Sequence, residues 1–290
     1  MSARLEWLDE FLYSRVDARA AAWYRIAFAA AIPFFFRSYD FNASAWASGQ
    51  IAWLYDNVFL SAEYMLLVKA MCVLLALGWN ARPIAFLLVV LLVPLDFLDA
   101  GRQSRQVVLF ALLAFSFVRS DAIRFPWMDS STAERDAGPA WPIRLIQLQL
   151  TVLYGMNAIA KSSPQYLSGD ALMDMSVELG NFRVDFSSGA LHLGMLAIPV
   201  AVLAAASAFV EYFLSIAFWV RRLRWVAAVA GILFHIVLAR VVKIFLLDYA
   251  AIFLYLAFLL PLISRAGSAP HRSSPPLSER RPGLPAPREA

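Results

Sequence analysis

The chain has 290 residues, 61% of them hydrophobic and 16% charged, against about 45–50% and ~25% in an ordinary globular domain. Its net charge is +4, and no basic run is interleaved with aromatics on one polar face, which excludes a nucleic-acid partner. The single cysteine, Cys72, allows no internal disulfide, and without CxxC or Cys/His zinc spacing no metal is expected. The expected fold is all-α: a polytopic membrane bundle of about eight transmembrane helices, with membrane lipids as its surroundings.

Residues 1–20 carry Glu6, Asp9, Glu10 and Asp17 and no apolar core, so no cleavable signal peptide is expected. A spanning helix needs about 20 mostly apolar residues. Stretches near that length lie at 21–37, 62–79, 83–99, 105–119, 141–161, 198–220, 224–241 and 243–263. The stretch 105–119 is the weakest by length. Trp141-Pro142 opens the fifth, with proline suited to a first helical turn and tryptophan to an interface. The run from Ala190 to Val220 is too long for one span, and Pro199 is expected to split it into a short interfacial piece and a true span.

Alternate loops differ in charge. One set holds Arg4, Arg15, Arg19, Arg82, Arg119, Arg124, Arg135, Arg221, Arg222 and Arg224, together with the arginines of the C-terminal stretch. The other holds Arg37, Arg102, Arg105, Arg183, Arg240 and Lys243. Basic residues concentrate on the cytoplasmic side, so both termini are expected there and loop 162–190 outside. Residues 1–263 form the expected membrane domain. The Pro-, Ser- and Arg-rich stretch 264–290 reads as a disordered cytoplasmic tail.

Ionisable side chains inside spans are costly and mark function by default. Lys161, Glu211, His235 and Arg240 stand out, with Gln147, Gln149 and Asn157 adding polarity to the fifth span. Asn157 and Lys161, four apart, share a helix face; Gln149 lies two turns back and drifts to the flank. Each has a plain alternative. Lys161 can snorkel from a helix end. Glu211 can be a protonated acid bonded between helices, or can pair with Arg240 or Arg25. His235 can be a helix–helix donor, and Arg240 an interfacial cation. The functional reading gathers them around a pocket, because a desolvated amine becomes a base.

At these residues the chain resembles a known family. The stretch WPIRLIQLQLTVLYGMNAIAKSSPQYLSG, 141–169, with Gln149, Tyr154, Lys161, Tyr166 and Gly169, is similar to the transmembrane domain of vitamin K-dependent gamma-carboxylase and the bacterial HTTM proteins. So is FH in GILFHIVLA, at His235, and the acidic position Glu211. The resemblance spans roughly 15–263. It implies that Lys161 deprotonates a reduced, vitamin K-like quinone, with His235 as a proton partner. Gln149, Tyr154, Asn157, Tyr166 and Glu211 are then the candidate substrate-binding residues. The family's second lysine is Ala160 here, its fourth-span histidine falls on QSR ending at Arg105, and the asparagine after FH is Leu238. No counterpart of its large lumenal domain is present, so a processive protein carboxylase is not expected. Two functions stay open. One is a carboxylase-like enzyme with a lysine base acting on a quinol or other lipophilic substrate. The other is a non-catalytic membrane protein that binds lipid, quinone or a partner, or assists maturation of an exported peptide.

Overall fold

A computed structural model describes residues 3–36, 53, 55–59, 61–97, 103–127, 136–178, 183–184, 186–193, 195–241 and 245–260. The tail expected at 264–290 lies outside these residues. Each of the apolar stretches read from the sequence holds a helix. After α1 (Ala3–Tyr13) and strand β1 (Arg15–Asp17) come α2 (Ala18–Phe35), α3 (Ala62–Leu77), α4 (Ala81–Phe97) and α5 (Gln103–Phe115). Strand β2 (Asp136–Pro139) leads into α6 (Trp141–Ala160), then the short α7 (Pro164–Leu167) and α8 (Asp170–Glu178). Strands β3 (Ala190–Leu193) and β4 (Leu196–Pro199) precede α9 (Val200–Ala217), α10 (Arg224–Val241), α11 (Phe245–Leu254) and α12 (Leu256–Leu259).

Local chemistry sets the ends of these helices. The Asp17 carboxylate accepts from the Ala20 amide at 2.8 Å and starts α2, and Ser61 does the same for Tyr64 at the start of α3. Gly78, at φ +74°, closes α3 in the left-handed conformation that glycine adopts without a Cβ penalty. Helix α6 begins without a side-chain cap but with Pro142 in its first turn, where the missing N–H goes unused.

The structure refines the expectations at three points. At 1.5 Å per residue, the 13 residues of α5 reach roughly 20 Å, short of a hydrocarbon core of about 30 Å, and the last stretch divides at Tyr255 into α11 and α12. Among the described residues two helices are long and apolar enough to cross a membrane: α9 and α10, with mean hydropathies of 1.9 and 1.7. The fold is therefore mostly helical, and length and hydropathy alone do not establish eight spans. Second, the short piece expected before Pro199 takes the form of strands rather than a helix. It is the hairpin β3–β4, with Ala190 opposite Pro199 and Leu193 opposite Leu196. Third, the helix of the stretch 141–161, α6, ends at Ala160, and Pro164 opens the separate α7, where Ser163 caps the Tyr166 amide.

The core forms where α2, α3, α5, α6 and α11 meet, around Tyr24, Phe28, Phe115 and Leu254. Arg25 is wholly buried in it and donates to the carbonyls of Ser120, Ile123, Ala76 and Arg124. It ties the turn after α5 to the C-terminal end of α3, where the helix dipole favours a cation. Arg105 is equally buried and donates from Nε to the Phe35 carbonyl at 3.1 Å.

Candidate functional site

The site grows from the packing of α6 on α9 and of α9 on α10, with the Tyr154–His235 contact joining α6 to α10. Helix α6 carries Leu153, Tyr154 and Asn157 along one side at helical spacing, with Lys161 at its C-cap, and α9 brings Leu203, Ser207, Val210 and Glu211 opposite them. Phe234, His235 and Leu238 of α10 form the third wall. The segment after α6 closes the fourth: Tyr166 from α7, Leu172 and Met175 from α8, and Phe186 and Leu191 beyond. Together they enclose a cavity of about 380 Å³ with a mostly apolar lining. That is within the usual range for small-molecule sites, about 300–1,000 Å³.

One charged pair breaks the apolar wall. Lys161 Nζ lies 2.9 Å from Glu211 Oε1, not Arg25 or Arg240. Arg25 is engaged by carbonyls on the far side of the core. The glutamate side chain is 4% exposed and the lysine 21%, so the pair is sheltered on the acid's side and more open on the amine's. The ammonium also stands 5.7 Å from the Tyr166 ring centre and 5.8 Å from that of Phe234, within reach of cation–π attraction. Glu211 Oε2 is buried and has no hydrogen-bond partner among the described residues, and such a group is costly unless a donor meets it.

Beside the pair lies a buried phenol–imidazole cluster. Tyr154 Oη is 2.6 Å from His235 Nε2 and also meets the Tyr255 hydroxyl. Tyr255 fits because residue 231 is glycine: a Cβ there would overlap its hydroxyl and ring. His235 additionally borders a second cavity of about 490 Å³ that contains Arg183, Arg240 and Tyr249.

The segment over the cavity is pinned at two points. The Tyr166 and Ser207 hydroxyls are 3.0 Å apart, and those of Ser162 and Tyr212 are 3.1 Å apart. Gly169, at φ +91°, brings the backbone onto the start of α9, where a Cβ would lie 2.9 Å from the Ala201 nitrogen.

Six of the candidate residues, Tyr154, Asn157, Lys161, Tyr166, Glu211 and His235, thus line one cavity. Gln149 does not. Its amide donates to the Val107 carbonyl at 3.0 Å and ties α6 to α5. Sequence reasoning missed Ser207 and Tyr255. The signal for Tyr255 was present: Gly231 precedes His235 by four positions, and a glycine inside a helix often marks a close approach.

The site is thus a largely apolar chamber between helices that holds a part-buried acid–base pair. The family model described as the HTTM domain matches residues 15–261, and the chain belongs to that family. The HTTM domain is the one associated with vitamin K-dependent carboxylases. No curated protein and no solved structure matches the chain.

Proposed function

We propose that this chain is a multi-pass integral membrane protein that binds a lipophilic, hydroxyl-bearing molecule in the α6–α9–α10 cavity. On this reading it removes that molecule's proton, as a carboxylase-like enzyme acting on a quinol would. One observation carries the proposal: a mostly apolar chamber whose wall holds the Lys161–Glu211 pair. An apolar chamber selects a lipophilic body, and the pair gives the polar end one place to dock. Lys161 is the base that the family resemblance implies, with Tyr154 and His235 beside it to pass a proton on. A reduced, vitamin K-like quinone is the ligand that fits this chemistry.

The membrane reading rests on the exterior. Phe209, Ile216, Trp225 and Leu233 are 71, 65, 68 and 58% exposed, while Arg25, Arg105, Glu211 and His235 are buried. An outward apolar face of this extent suits lipid rather than water.

The ion pair also supports the second reading, a non-catalytic binder. An ammonium already held by a carboxylate has no lone pair with which to take a proton. The test is chemical. Protein purified from membranes is extracted, and its lipids and quinones are identified by mass spectrometry beside those of Leu203→Trp, which fills the chamber. A prenylated quinone or quinol retained by the wild type and lost in the variant supports the proposal. Identical lipid profiles would sink it.

A further inference from the structure

We propose that Glu211 is the proton-accepting atom of this site and that Lys161 is the cation that holds it in place, so that the two act as one base. The inference rests on the reading that the chamber binds a hydroxyl-bearing lipophilic ligand, and it assigns the proton's destination. Lys161 Nζ lies 2.9 Å from Oε1. In the charged form its three N–H groups can only donate. Oε1 is therefore occupied, while Oε2 is buried, without a hydrogen-bond partner among the described residues, and belongs to a residue that lines the cavity. A carboxylate oxygen in that position calls for an incoming donor.

A hydroxyl answers both halves of the pair. Its hydrogen meets Oε2, and its oxygen accepts from an N–H of Lys161 that Oε1 does not use. A ketone can only accept, and a methyl ether has no hydrogen to give. Among the other polar groups near the pair, Tyr166 and Ser207 already satisfy each other at 3.0 Å. In the step itself the ligand O–H bond breaks and its electron pair stays on the ligand oxygen. The proton bonds to Oε2. The ligand goes from neutral to −1 and the pair from neutral to +1, as a carboxylic acid beside an ammonium, so charge balances. The ammonium then faces the new oxyanion and stabilises it.

A lone lysine base and a paired base respond oppositely to substitution. Glu211→Gln leaves a lone lysine its amine but removes the acceptor from the pair. Lys161→Arg removes a lone base but keeps the cation that the pair needs. The full-length protein, in nanodiscs under argon, is given a geranyl-substituted naphthohydroquinone or its dimethyl ether. Binding is followed by quenching of tryptophan fluorescence and proton transfer by the naphtholate absorbance band. The wild type is expected to bind both molecules and to show naphtholate with the quinol alone. Glu211→Gln is expected to bind the ether normally and to lose the naphtholate signal about tenfold or more, a small loss beside the 10²–10⁴ of general-base catalysis. Lys161→Arg is expected to retain a measurable part of it. Naphtholate persisting in Glu211→Gln, or vanishing in Lys161→Arg while the ether still binds, overturns the proposal. Should Glu211→Gln fail to bind the ether, Lys161→Arg and Glu211→Asp decide alone, and loss of naphtholate in both counts against it. If the wild type binds the quinol without ionising it, this inference falls and the cavity reading stands. If neither molecule binds the wild type, both fall.

Discussion

Single residues in this protein are legible where their cost in lipid is high. Lys161, Glu211 and His235 stand out because charge and polarity are expensive inside apolar helices, and all three reach one cavity. The partner of Glu211 was not legible. Arg25, Arg240 and Lys161 all offer a cation, and only the packing of α6 on α9 selects among them. Gln149 shows the opposite failure, since spacing puts it near the Asn157 face yet its amide is spent on α5. Tyr255 was missed because a lone phenol in an apolar run looks like core. Its neighbour Gly231 gives a sharp prediction. Alanine in place of a helical glycine ordinarily gains about 1 kcal/mol. Here the added Cβ would overlap Tyr255, whose ring is buried and packed 4.7 Å from that of Phe218. Overpacking of this kind costs about 1–3 kcal/mol, so the strain should win. Gly231→Ala is expected to lower the thermal unfolding midpoint in detergent. An unchanged or higher midpoint would mean that Tyr255 is free to step aside.

At the scale of elements, the helices were readable because apolar runs of this length have few alternatives. What the runs do not encode is where a helix stops being one. ALHLGMLAIP, 190–199, is short and apolar, and periodicity alone does not separate a strand from a helix in such a stretch. It forms a hairpin because Ala190 and Pro199 meet across it, and because Pro199, immediately before α9, has extended backbone angles. The segment 162–178 folds back over the cavity, and Gly169 is where it meets the start of α9. At φ +91° any other residue pays roughly 1–2 kcal/mol for a left-handed conformation. Its Cβ would also press on the Ala201 nitrogen at 2.9 Å, and backbone at a helix start cannot swing aside as a side chain can. Gly169→Ala is therefore expected to lift α7 and α8 from α9, weakening the Tyr166–Ser207 contact. Limited proteolysis should then cut 162–178 faster than in the wild type, with α2 and α3 protected as before. Equal cleavage rates would show that this glycine does not hold the cover down.

Across the described residues an apolar core holds a few buried charges, and large apolar side chains also cover the exterior. The buried groups include two arginines, a glutamate and a histidine, while phenylalanines and leucines face outward. Lys69, exposed midway along α3, is an exception whose flexible stem would carry its ammonium toward the headgroups. Composition alone pointed to lipid; the orientation within it comes only from the loops. Loops beginning with Arg15 and Arg19, Arg82, Arg119 and Arg124, and Arg221 to Arg224 carry most of the interhelical positive charge, and such loops stay in the cytoplasm. Lys161 stands at the opposite end of α6 from Trp141, so on the proposed membrane reading the cavity mouth and the segment after it are expected to face outside. Ser188 reports on that directly. It is exposed, two residues from the start of β3, whereas Cys72, the only native thiol, is buried. In a Cys72→Ala background, Ser188→Cys should react with a membrane-impermeant maleimide applied to intact cells. A cysteine at Arg222, between α9 and α10, should react only after permeabilisation. The reverse pattern would turn the protein over and open its chamber to the cytoplasm. Labelling of both sites in intact cells would mean that the segment from Ser188 to Arg222 does not cross the membrane, and the spanning role of α9 would fall with it.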